Sequence, residues 1–269
     1  QYECALGLSR AIGHRRSEAL CIGNLGYVFH HLGCYEEAKV YQQRHLAIAR
    51  EIGDRLGEAT ATGNLGLAFC SLGRCEEGKA YYERHLAVAR EIGDRRGEGY
   101  ALFNLASVAD ESDEEAVALD LAERVLALRR EIGHGDGVAD SLLQLGEIHQ
   151  RAGNDAEALR ALDEAVDRLR EHGRKPQLTS ALALLANLPG GNSEDAEEAL
   201  EEAGEAGNTP DTRYYLWKAT GKHEHLAEAK RLLDHLVEHA PEEYRESMLK
   251  NVRLHREIME AWEEHGGEG

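Results

Sequence analysis

The sequence predicts an all-α fold, a solenoid of stacked antiparallel helix pairs, and three observations predict it. The string REIGDR stands at 50–55 and 90–95, with relatives RAIGHR at 10–15, REIGHG at 130–135 and REHGRK at 170–175, always 40 residues apart. Self-similarity at such a period is the mark of a repeat architecture. Apolar residues recur at three- and four-residue steps and do not alternate with period two, so helices fit and strands do not. Glycine is abundant (28 residues) and proline rare (4 residues), and the glycines fall in phase with the repeat.

Each unit holds two amphipathic helices. In the first, Thr62, Leu65, Gly66, Phe69 and Leu72 share a face. Gly33, Gly73 and Gly153 are placed to close first helices, and Gly13, Gly53, Gly93, Gly133 and Gly173 to close second ones. The second helix is expected to bury Gly78, Tyr81, Tyr82, His85, Leu86, Ala89 and Ile92. Gly26, Gly66 and Gly146 sit mid-helix, where glycine costs ~1 kcal/mol relative to alanine, and so imply a close approach of two helices. Ala106 takes that place in the third unit, and Ala38, Gly78, Ala116 and Ala158 are the expected opposite side. The segment FNLASVADESDEEA at 103–116 reads two residues short before its acidic pair, which predicts a slip near Asp110–Glu115. One helix pair cannot bury both of its faces, so neighbouring units must stack.

The regular array is expected over 1–173, starting mid-repeat, with degenerate pairs and capping helices over 174–269. Residues 176–187 and 194–206 read as a pair around the PGGNS turn, with Ser193 as a cap. Residues 209–221 and 223–240 form another, with Pro210 in a first turn. A short helix from Pro241 to about Lys250 and a last one over 253–264 close the chain, and the tail HGGEG is expected to fray. Because the pattern starts inside a repeat at Gln1, the chain is expected to belong to a longer protein.

The net charge is −19, yet residues 1–100 carry 13 acidic and 13 basic side chains, so the whole excess lies beyond them. Such a chain does not neutralise a phosphate backbone, which excludes nucleic acid and anionic membrane as main partners. The acidic part reads either as a solvated surface or as a docking site for a basic ligand. Five cysteines in no framework spacing read as free thiols, which with no secretory signal and no run of ~18 apolar residues points to the cytoplasm. The histidines show no metal-ligand spacing: His30 and His31 are adjacent, and His223 and His225 face differently, so neither a metal nor a cofactor is expected. His45 and His85 read as packing residues, Cys34 and Cys75 as idle thiols rather than a redox pair. Arg55 with Glu58 and Arg95 with Glu98 read as local ion pairs at helix starts. No phosphate loop, nucleophile elbow or paired-carboxylate constellation is present, and no enzymatic activity is expected.

The pattern Leu25-Gly26, Phe29, Leu32-Gly33, Glu36-Glu37-Ala38, repeated as Leu65-Gly66, Phe69, Leu72-Gly73, resembles the tetratricopeptide signature. The 40-residue length looks like the longer-repeat subgroup of kinesin light chains, mitotic G-protein regulators and bacterial multidomain signalling proteins. The resemblance implies a right-handed superhelix whose first helices line a concave groove that binds a protein or peptide. Within it, Asn24, Asn64, Asn104 and Gln144 match a position whose carboxamide bonds a bound peptide's backbone; the alternative is a bond within or between repeats that sets their angle. Tyr27, Leu67, Ser107 and Glu147 lie one turn on, then His30, Cys70, Asp110 and Gln150; Leu20, Thr60, Tyr100 and Asp140 precede them. This row turns from apolar to acidic along the chain, which suits a partner with an apolar segment followed by basic residues, or else is unselected drift. The function expected is a protein-binding module. The competing readings are a regulatory arm of a larger enzyme (kinase, cyclase, nucleotide-switch ATPase or protease), touching that enzyme's other domains, and a self-association scaffold.

Overall fold

The computed structural model describes residues 2–266, so most of the tail predicted to fray lies outside the described residues. Fifteen α-helices and one 3-10 turn make up the described chain: α1 (Tyr2–Ala11), α2 (Arg15–His31), α3 (Tyr35–Glu51), α4 (Arg55–Ser71), α5 (Cys75–Ile92), α6 (Arg95–Glu111), α7 (Glu115–Glu131), α8 (Gly135–Arg151), α9 (Asp155–Glu171), α10 (Lys175–Ala186), α11 (Ser193–Ala203), the 3-10 turn Gly204–Gly207, α12 (Pro210–Thr220), α13 (His223–Glu238), α14 (Glu242–Asn251) and α15 (Arg253–His265). The fold class is the predicted one, an all-α solenoid of stacked helix pairs. Two compact units divide it. The first is residues 1–108 with 236–252, and the second 109–235 with 253–269. In the first, α2, α3, α4 and α5 pack each on the next; in the second, α7 to α11 do the same and α12 packs on α10.

A helix begins every 20 residues from Arg15 to Lys175, always two positions after a left-handed residue. Eight of those residues are glycines, from Gly13 to Gly173, with φ between 65 and 76°. The ninth is Asp113 at φ 59°, the sole non-glycine among the described residues with positive φ. The predicted slip near Asp110–Glu115 is therefore absent. The acidic pair Glu114–Glu115 stands early because it occupies the places of Cys34 and Tyr35, while Asp113 takes the left-handed place of the glycine, a substitution that region tolerates better than most. The residue matching Ala38, Gly78 and Ala158 is then Ala118, which is fully buried, and not the exposed Ala116.

The mid-helix glycines do mark close approaches. A Cβ on Gly66 would lie 2.6 Å from the Tyr82 ring, and one on Gly146 would lie 2.5 Å from Leu162 Cγ. Gly26 likewise faces Gln42, whose amide donates to Gly23 O at 2.8 Å. The facing residue is thus a large one a turn further along the second helix than expected. The expected small residue also takes part, since a Cβ on Gly78 would come 2.8 Å from Gly66 O. The third repeat has Ala106 and Ala122 at the matching positions, both fully buried. His45 and His85 pack as predicted, buried against Gly23 and Gly63, and burial lowers the pKa of both. Against expectation, Tyr81 and Leu86 are only half-buried and Ile92, at the end of its helix, is exposed.

Charge fastens the helices of the first unit at a recurring position. Glu18, Glu58 and Glu98 each turn inward between two arginines, one on the preceding helix and one three residues upstream. Glu58 also accepts from Arg84 Nη2 at 2.7 Å, and its side chain is 4% exposed. Asp54 and Asp94 cap α4 and α6, accepting from Gly57 N at 3.0 Å and Gly97 N at 2.9 Å. In the C-terminal third, Asn192 and not Ser193 caps α11, because its Oδ1 reaches Glu194 N. Thr209 caps α12, with Pro210 in the first turn.

Candidate functional site

The candidate row of the first unit runs over α2, α4 and α6. Tyr27 and Leu20 are each 52% exposed and Tyr100 47%, while Leu67 and Thr60 are half-buried and exposed. Asn24 is exposed, Asn64 and Asn104 are half-buried, and no carboxamide of the three bonds another described residue. The register that brings them together is the 40-residue period acting on a fixed helix phase. Gly26, Tyr27, His30, Gln42, Asn64 and Leu67 line one narrow crevice among α2, α3 and α4. His30 Nε2 lies 3.0 Å from Ser71 Oγ, and Tyr27 packs edge-on against His31 at 4.3 Å. Burial, with His31 adding, pushes the His30 pKa down to about 4, so the ring is neutral at neutral pH. The positions Leu20, Asn24, Tyr27, Thr60, Asn64, Leu67, Tyr100, Asn104 and Ser107 carry no charged side chain, and the row's carboxylate on α6, Asp110, belongs to the second unit.

In the second unit the matching positions are engaged by the chain itself. Gln144 is buried. Glu147 Oε1 accepts from Tyr215 Oη at 2.8 Å and pairs with Arg151 Nη1 at 3.0 Å. Burial, reinforced by Asp211, Glu111 and Glu257, pushes the Glu147 pKa up to about 7. Asp140 pairs with Arg174 at 2.7 Å, and Asp110 with Arg151 and Arg253. Gln150 Nε2 donates to Leu184 O at 3.1 Å. The acidic stretch of the row thus has its own cations and hydroxyls. Tyr215 and Arg253, which supply them, were not anticipated: they lie 68 and 143 residues from the groups they bond, and no sequence period links them.

Other side chains offer less chemistry. Cys75 lies by Cys70, its Sγ 3.9 Å from Cys70 O, and Cys34 bonds its own turn at Leu32 O. Among the described residues no three His, Cys, Asp or Glu side chains converge so as to hold a metal ion, and no helix is long and apolar enough to cross a membrane.

One tetratricopeptide-repeat model matches residues 15–77 and 58–131, and a second such model matches 138–172. The chain belongs to the tetratricopeptide-repeat family. Arrays of this family are protein–protein interaction modules. No curated protein sequence matches the chain significantly. Among solved structures, it resembles a Rap protein complexed with competence and sporulation factor, with a TM-score of 0.66 at 16% identity over 92% of this chain and 76% of that one. BtubC from P. vanneervenii gives 0.60 at 14% identity, covering 89% and 91%. A signal transduction ATPase with numerous domains and a tetratricopeptide repeat sensor, from Pyrococcus horikoshii, gives 0.54 at 15% identity, covering 93% of this chain and 38% of the other. At these identities the likeness is one of fold.

Proposed function

We propose that the array binds an extended, uncharged peptide segment of a partner protein along α2, α4 and α6. The observation that carries this reading is the set Asn24, Asn64 and Asn104. Three carboxamides stand at one register on adjacent first helices, none spent on a bond within the array, among positions without charge. An unspent amide offers both a donor and an acceptor to a strand of backbone. Tyr27, Leu67 and Tyr100 supply apolar surface for alternate side chains. Asp140, Glu147 and Asp110 meet their cations internally, so a basic partner segment gains little there. The solved neighbour complexed with competence and sporulation factor supports a bound partner molecule on such an array. The neighbour in which such an array is a sensor supports a second reading, a regulatory arm within a larger protein.

An immobilised library of extended peptides, graded by net charge, tests the proposal. Neutral apolar sequences are expected to be captured above basic and acidic ones. Asn64→Ala with Asn104→Ala should weaken capture about 10- to 30-fold, the equivalent of two net hydrogen bonds at ~1 kcal/mol each, with thermal unfolding unchanged. Loss of stability in step with loss of capture refutes the role of the carboxamides, and preferential capture of basic peptides refutes the assignment of the row.

A further inference from the structure

Residues 242–251 pack on the turn that closes α4, and all the contacts concerned lie within the first unit. Ser247 Oγ donates to Leu72 O at 2.6 Å, and Asn251 Nδ2 donates to Gly73 O at 2.8 Å. Carbonyls at a helix C-terminus lack a partner in their own helix, so this turn presents acceptors that another segment can satisfy. Gly73 has φ 72°, and a Cβ on it would run into Ser247 O and lie 2.7 Å from Met248 N. Two backbones therefore meet there. The corresponding turn glycine of α8, Gly153, has the same φ of 72° and nothing within 4 Å. A cationic rim completes the seat: Lys39 Nζ donates to Tyr244 Oη at 3.0 Å, and the Arg74 guanidinium lies 5.6 Å from the Tyr244 ring.

The seat is shaped for a helix, yet its hold on α14 is thin. Of the ten residues of α14, Tyr244 and Met248 are the buried ones. Arg245 and Lys250 are exposed on it, Pro241 precedes it, and Val252 follows in extended backbone at φ −88° and ψ 115°. A helix of this length is marginal in water by itself, so α14 owes its helicity to being seated. Elements with few buried contacts are the ones that open locally while the rest of a domain stays folded.

We propose that α14 is a releasable strap that masks, in cis, a helix-docking seat on the closing turn of α4. The occupant of the seat is this segment of the chain itself. Release uncovers the Leu72–Arg74 turn together with Tyr244 and Met248. The turn adjoins Ser71, whose hydroxyl meets His30, but the strap stands independently of any ligand in the candidate row.

Hydrogen exchange and limited trypsin digestion of the full chain test this. In the unaltered protein, amides of 242–251 should exchange about 10-fold or more faster than those of α4, through local opening. Gly73→Ala and Gly153→Ala carry the same left-handed backbone penalty, but only the first inserts a methyl between the turn and α14. Gly73→Ala should speed exchange over 242–251 and cleavage after Arg245 and Lys250 by about 10-fold, and Gly153→Ala should leave both within about twofold. Should Gly73→Ala fail to fold, Ser247→Ala with Asn251→Ala removes the two carbonyl bonds without inserting an atom and should produce the same acceleration. Exchange of α14 as slow as that of α4, or equal effects of the two glycine substitutions on α14, overturns the proposal, as does unaltered exchange in the Ser247 and Asn251 variant.

Discussion

Glu58 is the carboxylate most heavily committed to the array, and replacing it by glutamine measures what charge contributes to stacking. Its side chain is 4% exposed and bonds Arg50 on α3, Arg55 on its own helix and Arg84 on α5. Burial alone would raise its pKa, but the three guanidiniums outweigh it and bring the value down to about 2. Against an ordinary 4.5, a displacement of that size corresponds to about 3 kcal/mol. The arginines are themselves 38–51% exposed and screened by water, which reduces the expectation to about 2 kcal/mol. Because the folded pKa is depressed, the contribution is complete above the unfolded value near 4.5 and is lost as pH falls toward 2. Glu58→Gln should therefore lower stability by about 2 kcal/mol at pH 7, or roughly 5 °C in Tm, and the deficit should shrink steadily below pH 4.5. Urea and thermal unfolding from pH 7 to 3 read this directly. Glu98→Gln, with two arginines in place of three, should cost less. A deficit independent of pH, or one as large for Glu98, would refute the electrostatic account.

Two further outcomes follow from the same packing. Glu147 titrates in the opposite sense: its folded pKa is raised to about 7, so its protonated form stabilises the fold at acid pH and that contribution is lost as pH rises through about 7. Glu147→Gln keeps an acceptor for Tyr215, so the variant should match the unaltered protein near pH 4.5. It should exceed it by about 1 kcal/mol above pH 8, the full shift being discounted because a third of the side chain is exposed; parallel stability curves would contradict this. Gly66→Ala should destabilise by about 1–3 kcal/mol, because the steric conflict with the buried Tyr82 ring exceeds the ~1 kcal/mol gained in helix propensity. Combined with Tyr82→Ala, it should show a favourable coupling of at least about 1 kcal/mol in a double-mutant cycle, and simple additivity would disprove the steric reading.

Much of this is legible in the sequence. Position within a repeat sets a helix phase, so the burial of Leu65, Phe69 and Leu72, the closing turns at Gly33 and Gly73, and the Arg55–Glu58 and Arg95–Glu98 pairs follow from local spacing. Composition misleads at residues 113–115, because the pair Glu114–Glu115 imitates Glu36–Glu37 two positions early and the αL position that fixes the register is filled by Asp113, not by glycine. The row Asn24, Asn64 and Asn104 was recognisable because periodicity alone places it. The state of Glu147 and Asp140 was not, since a sequence shows an acidic side chain but not the Tyr215 or Arg174 that meets it.

By itself, then, the sequence determined the helix pairs, their 40-residue period and the recurrence of one register on the first helices, because these depend on contacts repeated at short, constant separations. Tertiary structure alone decided that the acidic stretch is satisfied from within and that α14 lies on the closing turn of α4. Ser247 meets Leu72 across 175 residues and Asn251 meets Gly73 across 178. At those separations neither helical phase nor repeat period carries information, and only the folded chain brings the groups together.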